Sequence, residues 1–233
     1  MQSRREPVVA IDGPVGSGKS TVARLLADRL GFLYIDTGAM YRAAAWKALR
    51  ADVDLNDYVA VGALIEQTQI ELKRDGGMLR VHCDNKDVTE EIRHPSVSRA
   101  TSFIADNPRV RRRLVALQQE MGCAGGVSME GRDIGTVVFP DAEIKVYLDA
   151  KPEERARRRT EELRAKGINV TYEETLRDLL ERDQRDRNRP VGALRVAEGA
   201  TIIDSTRLSI EELVTRLEKL VRRLQVDDPS DRI

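Results

Sequence analysis

Gly13-Pro14-Val15-Gly16-Ser17-Gly18-Lys19-Ser20-Thr21 is the stretch that decides the fold of this chain of 233 residues. It fits the P-loop pattern, in which a glycine-rich loop ending in Lys and Ser or Thr wraps around phosphate groups. Residues 7–12 form an apolar run that predicts a buried parallel strand before the loop. Residues 21–30 carry apolar side chains at helical spacing, and Gly31 ends that predicted helix. Because a strand and a helix flank it, a P-loop is favoured over an ordinary glycine-rich turn.

The residue types in this loop predict that it binds a nucleoside triphosphate. Glycines allow backbone N–H groups to approach a polyphosphate closely, and the following helix adds unpaired N–H donors at its N-terminus. We expect Lys19 to reach the outer phosphates and the hydroxyl of Ser20 to bind Mg²⁺. The loop pattern alone leaves the fate of the phosphate open.

The composition argues against several classes of protein. Charged residues make up 33% of the chain and the formal net charge is zero, so no charge imbalance points to nucleic acid or a membrane surface. No apolar run has membrane-spanning length, and no signal-type segment follows Met1. Cys83 and Cys123 lack metal-ligand spacing and are expected to be free thiols, and His82 and His94 also lack ligand partners. We therefore expect a soluble cytoplasmic enzyme.

Strand and helix patterns alternate along the chain, which predicts an α/β fold with a five-stranded parallel sheet and helices on both faces. The predicted strands are 7–12, 32–36, 125–129, 144–149 and 200–205. The predicted helices are 21–30, 39–49, 52–66, 96–105, 108–121, 152–166, 171–189 and 209–224, and the last nine residues are expected to fray.

The sequence period changes to two within residues 68–83. Residues 68–73 and 78–83 alternate apolar and polar side chains around a glycine-containing turn at 74–77, and residues 86–88 add a short strand. An antiparallel ribbon inside a parallel series is an insertion, so we expect a small antiparallel β subdomain here.

Polar residues collect at the carboxyl ends of the predicted strands, where open α/β sheets bind ligands. Asp36 and Thr37 follow the second strand, and Tyr41 and Arg42 lie on the first turns of the next helix. A simple helix cap is the alternative for Asp36 and Thr37. The step Arg132-Asp133 follows the third strand and adds a guanidinium and a carboxylate to the same edge.

Arginines are also concentrated on two helical segments. Residues 109–113 place four arginines on the first turns of a helix, where the helix dipole disfavours cations, which indicates an anionic ligand. A solvated charged face is the alternative. Residues 152–166 and 171–189 form a charged helical hairpin with too little apolar surface for a core, which predicts a mobile flap or, alternatively, surface salt bridges. The charged face of the second helix holds Arg182, Arg185, Asp186 and Arg189.

Lys19 and these arginines carry more positive charge than one bound triphosphate requires. Two phosphorylated ligands that meet end to end would explain the excess. A phosphate acceptor has a second pKa of about 6, so it is ionised near neutral pH and needs no general base. Catalysis then reduces to alignment and to neutralising the transferred phosphoryl group, for which guanidinium groups are well suited. The flap would exclude water, which otherwise hydrolyses the triphosphate.

Four blocks of the chain resemble bacterial cytidylate kinase, within the superfamily of P-loop nucleoside monophosphate kinases. These are residues 11–19, 36–42, 131–140 and 182–189, and Asp204-Ser205-Thr206 and the inserted hairpin also match. The resemblance implies transfer of the γ-phosphoryl group of ATP to CMP or dCMP with Mg²⁺, by a monomer. It also implies a P-loop core (residues 1–36, 124–150 and 191–233), a region that binds the monophosphate (37–123, with the hairpin insert at about 62–95) and a lid (151–190).

The resemblance implies roles for single residues as well. Arg42, Arg132 and Arg189 would hold the phosphate of the monophosphate. Asp133 and Ser102 would read the cytosine edge, Arg111 would face the base and Asp186 the sugar. The implied catalytic residues are Lys19, Arg132, Arg182 and Arg189. The implied ATP-binding residues are Gly13, Pro14, Val15, Gly16, Ser17, Gly18, Lys19, Ser20, Thr21, Arg158, Arg182 and Arg185, and the implied residues for the monophosphate are Asp36, Thr37, Tyr41, Arg42, Ser102, Arg111, Arg132, Asp133, Asp186 and Arg189.

Three other functions compete with this interpretation. A regulatory GTPase would need Asn-Lys-x-Asp at a strand end, and the nearest stretch, residues 85–88, ends in Val88 inside the inserted ribbon. A nucleic-acid-binding protein would use the arginines, but aromatic residues for base stacking make up only 4% of the chain. A kinase for UMP or AMP is the closest alternative, and a panel of monophosphates distinguishes it.

Overall fold

The computed structural model describes residues 6–227, without the side chains of residues 225–227. The expectation for the first residues after Met1 and that of fraying for residues 228–233 therefore fall outside the described part, whereas residues 225–227, also expected to fray, continue the last helix. The chain forms two compact units, one from Met1–Tyr34 with Ala124–Ile233 and one from Ile35–Cys123.

The predicted alternation of strands and helices is confirmed. In the described residues the strands are β1 (Val8–Asp12), β2 (Leu33–Asp36), β3 (Ile70–Asp75), β4 (Met78–Cys83), β5 (Lys86–Asp87), β6 (Val127–Gly131), β7 (Ile144–Asp149) and β8 (Thr201–Asp204). The helices are α1 (Lys19–Leu30), α2 (Thr37–Arg50), α3 (Tyr58–Glu66), α4 (Pro95–Asp106), α5 (Pro108–Gly122), α6 (Pro152–Ala165), α7 (Tyr172–Asn188) and α8 (Ile210–Asp227), with a 3₁₀ turn at Glu91–Arg93 and a π-helical turn at Ile134–Val138.

The five-stranded sheet has the order β2-β6-β1-β7-β8, so β1 lies at its centre. β1 pairs in parallel with β6 and β7, and β7 pairs in parallel with β8. Every residue of β1 is buried, as expected for a central strand covered on both faces. The carboxyl end of β1 therefore opens directly into the P-loop.

The core of the first unit lies between this sheet and helices α1 and α8. Val22 and Leu26 of α1 and Leu213 and Leu217 of α8 are fully buried against strand residues such as Ile11. Burial of apolar surface contributes about 25 cal/mol per Å², so this layer stabilises the unit.

Two predicted boundaries are wrong for identifiable reasons. The helix expected at 52–66 begins only at Tyr58, because the side chain of Asp57 caps it by accepting from the backbone N–H groups of Val59 and Ala60. Asp52, inside the expected helix, has φ 53°, which no right-handed helix accommodates. The strand expected at 125–129 is displaced to β6 because Gly125 and Gly126 both have positive φ, at 79° and 63°.

The inserted ribbon is confirmed as a three-stranded antiparallel sheet of order β3-β4-β5, within the second unit. Asp75 pairs with Met78, so the turn consists of Gly76 and Gly77 alone, with φ 56° and 84°. Positive φ at both central residues is the two-residue turn that matches the twist of a hairpin. The ribbon packs on α2, whose inward face is made largely of buried alanines.

Both cysteines are free thiols, as predicted, and both belong to the second unit. Cys83 is buried in β4, and burial raises the pKa of its thiol to about 11, whereas Cys123 is exposed at the end of α5. In the part of the chain that is described, no helix has both the length and the apolar content for crossing a membrane.

The prediction that the α6–α7 hairpin cannot contribute to a core is wrong. Four of its charged side chains, those of Arg155, Asp183, Asp186 and Arg189, are each no more than 7% exposed. Burial of these groups is tolerated because cations and carboxylates are paired with one another. Motion of the hairpin as a flap stays a prediction.

Gly13 offers a test of how tightly the loop is fixed to the sheet. A Cβ atom added there would lie 2.1 Å from the carbonyl oxygen of Leu148 in β7. We expect Gly13→Ala to lower the free energy of unfolding by about 3 kcal/mol, because backbone atoms would have to move. Urea denaturation measures the change. Gly31→Ala is the control: Gly31 also has positive φ, but nothing lies within 4 Å, so a loss of about 1 kcal/mol is expected. Equal losses in the two variants would contradict the steric argument.

Candidate active site

The P-loop connects β1 to α1 and encloses the side chain of Lys19. The Nζ atom of Lys19 donates to the carbonyl oxygen of Pro14 at 2.7 Å, and the Ser17 hydroxyl donates to the same oxygen at 3.0 Å. Burial, together with the charge of Arg132, lowers the pKa of Lys19 to about 7, although Glu130 and nearby carboxylates oppose this shift. A polyphosphate would favour the ammonium form again.

Ser20 lies on the first turn of α1 and contacts a carboxylate from the neighbouring strand. Its hydroxyl donates to Oε1 of Glu130 at 2.7 Å, and Glu130, on β6, is 5% exposed. A hydroxyl beside a carboxylate is the oxygen-rich surrounding that Mg²⁺ favours. Glu130 was not among the predicted site residues. Its position directly before Gly131-Arg132 at a strand end was the available signal.

Asp12, the last residue of β1, holds the backbone of the segment after β6. Its carboxylate accepts from the N–H groups of Ile134 at 2.8 Å and Gly135 at 2.7 Å. Burial raises the pKa of Asp12 to about 7, against the opposing effect of these two hydrogen bonds. Since Arg132 and Asp133 immediately precede the segment, this contact fixes the predicted acceptor residues to the strand that carries the P-loop.

The buried carboxylate of Asp186 joins two other predicted residues. Asp186 of α7 accepts from Nε of Arg132 at 2.8 Å and from Nη2 of Arg189 at 2.7 Å. Burial alone raises the pKa of Asp186, but Arg132, Arg189 and Arg182 outweigh it and lower the pKa to about 2. Asp186 is therefore ionised and holds two guanidinium groups at one place.

The remaining predicted residues of the first unit lie differently. Arg185 is exposed on α7 and not part of this buried group. Arg158 donates to Glu154 at 2.8 Å and to the carbonyl oxygen of Ser205 at 2.8 Å, and the hydroxyl of Ser205 donates to the carbonyl of Ser17 in the P-loop. Arg158 thus supports the end of β8, and an ATP-binding role for it stays a prediction.

In the second unit Asp36 performs two tasks. It caps α2 by accepting from the N–H of Ala39 at 2.8 Å, and it accepts from Arg42 at 3.0 Å. Asp36 thus caps the helix and also orients a predicted phosphate-binding arginine, and a binding role for Asp36 itself stays a prediction. Thr37 is buried as the first residue of α2.

The arginine run at the start of α5 does not act as one cluster. Arg109 forms a two-point ion pair with Glu66, at 3.1 and 2.7 Å, so the expectation that the whole run faces an anion is wrong at this position. Arg111 is 3% exposed and lies 5.5 Å from the ring centroid of Tyr41. Ser102, on α4, is half-buried. The structure thus brings Tyr41 and Arg111 together, and a cation–π contact accounts for their stacking.

Arg155 was missed by sequence reasoning, although its side chain is among the most buried of the chain at 2% exposure. It contacts the carbonyl oxygens of Val15 and Ala150 and the carboxylate of Asp183. Val15 is 140 residues away and Asp183 lies on another helix, so no local pattern indicates these two contacts.

Comparison with known proteins gives a consistent result. A family model described as cytidylate kinase matches residues 9–223. A cytidylate kinase of Pelotomaculum thermopropionicum is 57% identical over 209 residues, covering 89% of this chain and 92% of that protein. A cytidylate kinase of Geobacter sulfurreducens is 48% identical over 227 residues, which cover 97% of both chains.

Among solved structures, an uncharacterized protein from Eubacterium ventriosum matches with a TM-score of 0.52. The match covers 93% of this chain and 99% of that chain at 11% sequence identity. At this level of identity the likeness shows a shared fold alone.

The shared carboxylate predicts a specific dependence of stability on pH. The pKa of Asp186 is lowered in the folded protein from 3.8 to about 2, so its contribution is present above pH 3.8 and is lost as the pH falls towards 2. Wild-type stability should therefore fall by about 2 kcal/mol more than that of Asp186→Asn between pH 5 and pH 2. Denaturant unfolding at several pH values measures this difference.

The control for this experiment removes an exposed carboxylate from the same helix. Glu181→Gln lies on α7 but outside the buried group, so its pH profile should follow the wild type. Parallel profiles for wild type and Asp186→Asn would show that the pairing of Asp186 does not stabilise the fold.

Proposed function

The chain belongs to the cytidylate kinase family, and on that premise we propose that it transfers the γ-phosphoryl group of ATP to CMP or dCMP, with Mg²⁺, giving ADP and CDP or dCDP. Membership of the family makes the chain a kinase that acts on small-molecule nucleotides. The phosphate donor, the metal ion and the roles of single residues are parts of the proposal. We further propose that it works as a cytoplasmic monomer.

The observation that carries the proposal is the pair of guanidinium groups held by Asp186. Arg132 and Arg189 are fixed by one carboxylate in the same unit as the P-loop. A guanidinium has five N–H donors, so Arg132 keeps donors for a phosphate after its bonds to Asp186 and Gly131. Two anionic phosphates repel each other as they approach. Donors that are fixed in position and permanently charged reduce this repulsion.

The P-loop is the proposed site for the ATP phosphates. Backbone N–H groups of residues 13–21 and the ammonium of Lys19 would bind them, and Arg182 would neutralise charge during transfer. The oxygens of Ser20 and Glu130 fit Mg²⁺, which is typically bound through one or two protein oxygens plus substrate phosphates. When bound, the metal would neutralise phosphate charge.

The acceptor needs no general base. Its phosphate has a second pKa of about 6, so the attacking oxygen is already ionised near pH 7. The proposed tasks of this chain are therefore to bind, to align and to exclude water, the last assigned to the lid of residues 151–190. Thr37, Arg42, Ser102 and Arg111 of the second unit are proposed to bind the monophosphate, and the three-part division of the chain remains part of this proposal.

Asp133 is proposed to select cytosine. The amino group of cytosine is a donor that a carboxylate accepts, whereas uracil presents a carbonyl oxygen at the same position. Asp133 is 5% exposed and directly follows Arg132, so base and phosphate recognition would come from adjacent residues. A buried carboxylate rejects a carbonyl because both are acceptors.

A monophosphate panel tests the reaction. We expect the purified protein with ATP and Mg²⁺ to release ADP far faster with CMP and dCMP than with UMP or AMP. Coupled detection of ADP measures the rates. Highest turnover with UMP or AMP would favour a kinase of different base specificity, and ADP release without any monophosphate would indicate a hydrolase.

Substitution of Asp133 tests base selection separately from catalysis. Asp133→Ala should lower the ratio of kcat/KM for CMP over UMP by about tenfold or more, equivalent to about 1.4 kcal/mol of discrimination. Steady-state kinetics with both acceptors measure the ratio. Asp141→Ala removes an exposed carboxylate eight residues further along the chain and should leave the ratio unchanged. A drop in rate at constant ratio would remove Asp133 from base recognition.

A further inference from the structure

We propose that Arg155 is a positioning residue that connects the P-loop to helix α7. It would thereby keep Arg182 at a fixed position relative to the ATP bound by the P-loop. The inference rests on the proposed function for its substrate, and concerns a residue that contacts neither nucleotide in that scheme. It is carried by the placement of one buried guanidinium among three separate elements.

The guanidinium of Arg155 donates to two carbonyl oxygens and forms an ion pair with one carboxylate. Nε donates to the carbonyl oxygen of Ala150 at 2.9 Å, just after β7, and Nη1 donates to the carbonyl oxygen of Val15 in the P-loop at 3.0 Å. Nη1 also lies 2.6 Å from Oδ2 of Asp183 in α7. A rigid planar fork makes such contacts at fixed angles, which a lysine ammonium on a flexible stem does not reproduce.

The backbone around Arg155 also supports the loop. A Cβ atom added to Gly16 would lie 3.2 Å from both Cβ and the carbonyl oxygen of Arg155. Gly16 has φ 76°, so its conformation also favours glycine. The middle of the P-loop therefore rests directly on the first turn of α6, and Arg155 fixes both the position and the hydrogen bonding of Val15-Gly16.

The other end of the contact fixes α7. Asp183 is 2% exposed and neighbours Arg182, the proposed catalytic arginine, in sequence. Asp186 lies three residues further on and is paired with Arg132 and Arg189. Arg155 thus fixes the position of the helical turn that carries Arg182. The arginines proposed to bind the acceptor are instead held by Asp186. Loss of Arg155 should affect ATP more than CMP.

Arg155→Lys is the main test, since it keeps a positive charge but not the fork. At a temperature where the variant is folded by circular dichroism, we expect kcat/KM for ATP to fall about 100-fold, the size of effect that small misplacements cause. The Kd for CMP, measured by calorimetry without ATP, should stay at the wild-type value. Arg157→Lys, on the exposed side of α6, is the matched control and should behave as wild type.

A second variant covers the case in which a lone buried charge prevents folding. Arg155→Met with Asp183→Asn removes both charges, so neither is left unpaired. It should show the same loss towards ATP. In a double-mutant cycle the effects of Arg155→Lys and Asp183→Asn should be less than additive, because both break one contact.

The outcomes separate this inference from the proposed function. Calorimetry with ATP and Mg²⁺ in the absence of acceptor reports on the P-loop whatever the acceptor is. Weaker ATP binding in Arg155→Lys supports the inference even if the panel identifies an acceptor other than CMP. Unchanged ATP binding and kcat/KM in a folded variant would overturn it, as would equal losses towards ATP and CMP, which indicate a general structural role.

Discussion

The two hydrogen bonds that Asp12 accepts from Ile134 and Gly135 are the constraint on which the candidate site depends. They tie the end of the central strand to the backbone that follows β6, so the P-loop and the Arg132-Asp133 step share one anchor. A carboxylate buried this deeply is destabilised as an anion, which is why its pKa is raised to about 7. Two backbone donors offset part of that cost and fix the junction.

Pairing of buried charges extends this logic across the first unit. Asp186 holds Arg132 and Arg189, Asp183 holds Arg155, and Glu130 lies beside Ser20. A charge without a partner in such surroundings would cost several kcal/mol, so the carboxylates are required for the arginines to be present at all. Buried carboxylates thus hold the guanidinium groups of Arg132, Arg155 and Arg189 in place.

The fold was predictable where signals are local. The glycine pattern of the P-loop and the apolar runs of the strands are each contained in a few residues, and the structure has both. Long-range pairing was not predictable: Val15 and Arg155 are 140 residues apart, and nothing in the charged run around Arg155 distinguishes it from its exposed neighbour Arg157. The sequence therefore did not reveal which charged side chains of α6 and α7 are buried. Likewise Arg109 was grouped with Arg111 because the sequence does not reveal Glu66 as its partner.

The contrast between the two thiols gives the second unit a built-in reporter. Thiol reagents attack the thiolate, so at neutral pH a dye would modify exposed Cys123 while Cys83, shielded and with its pKa raised to about 11, stays protonated. Cys83 becomes reactive only when β4 separates from its neighbours. The rate at which a second dye molecule reacts with the protein therefore measures how often the ribbon opens locally. No engineered residue is needed.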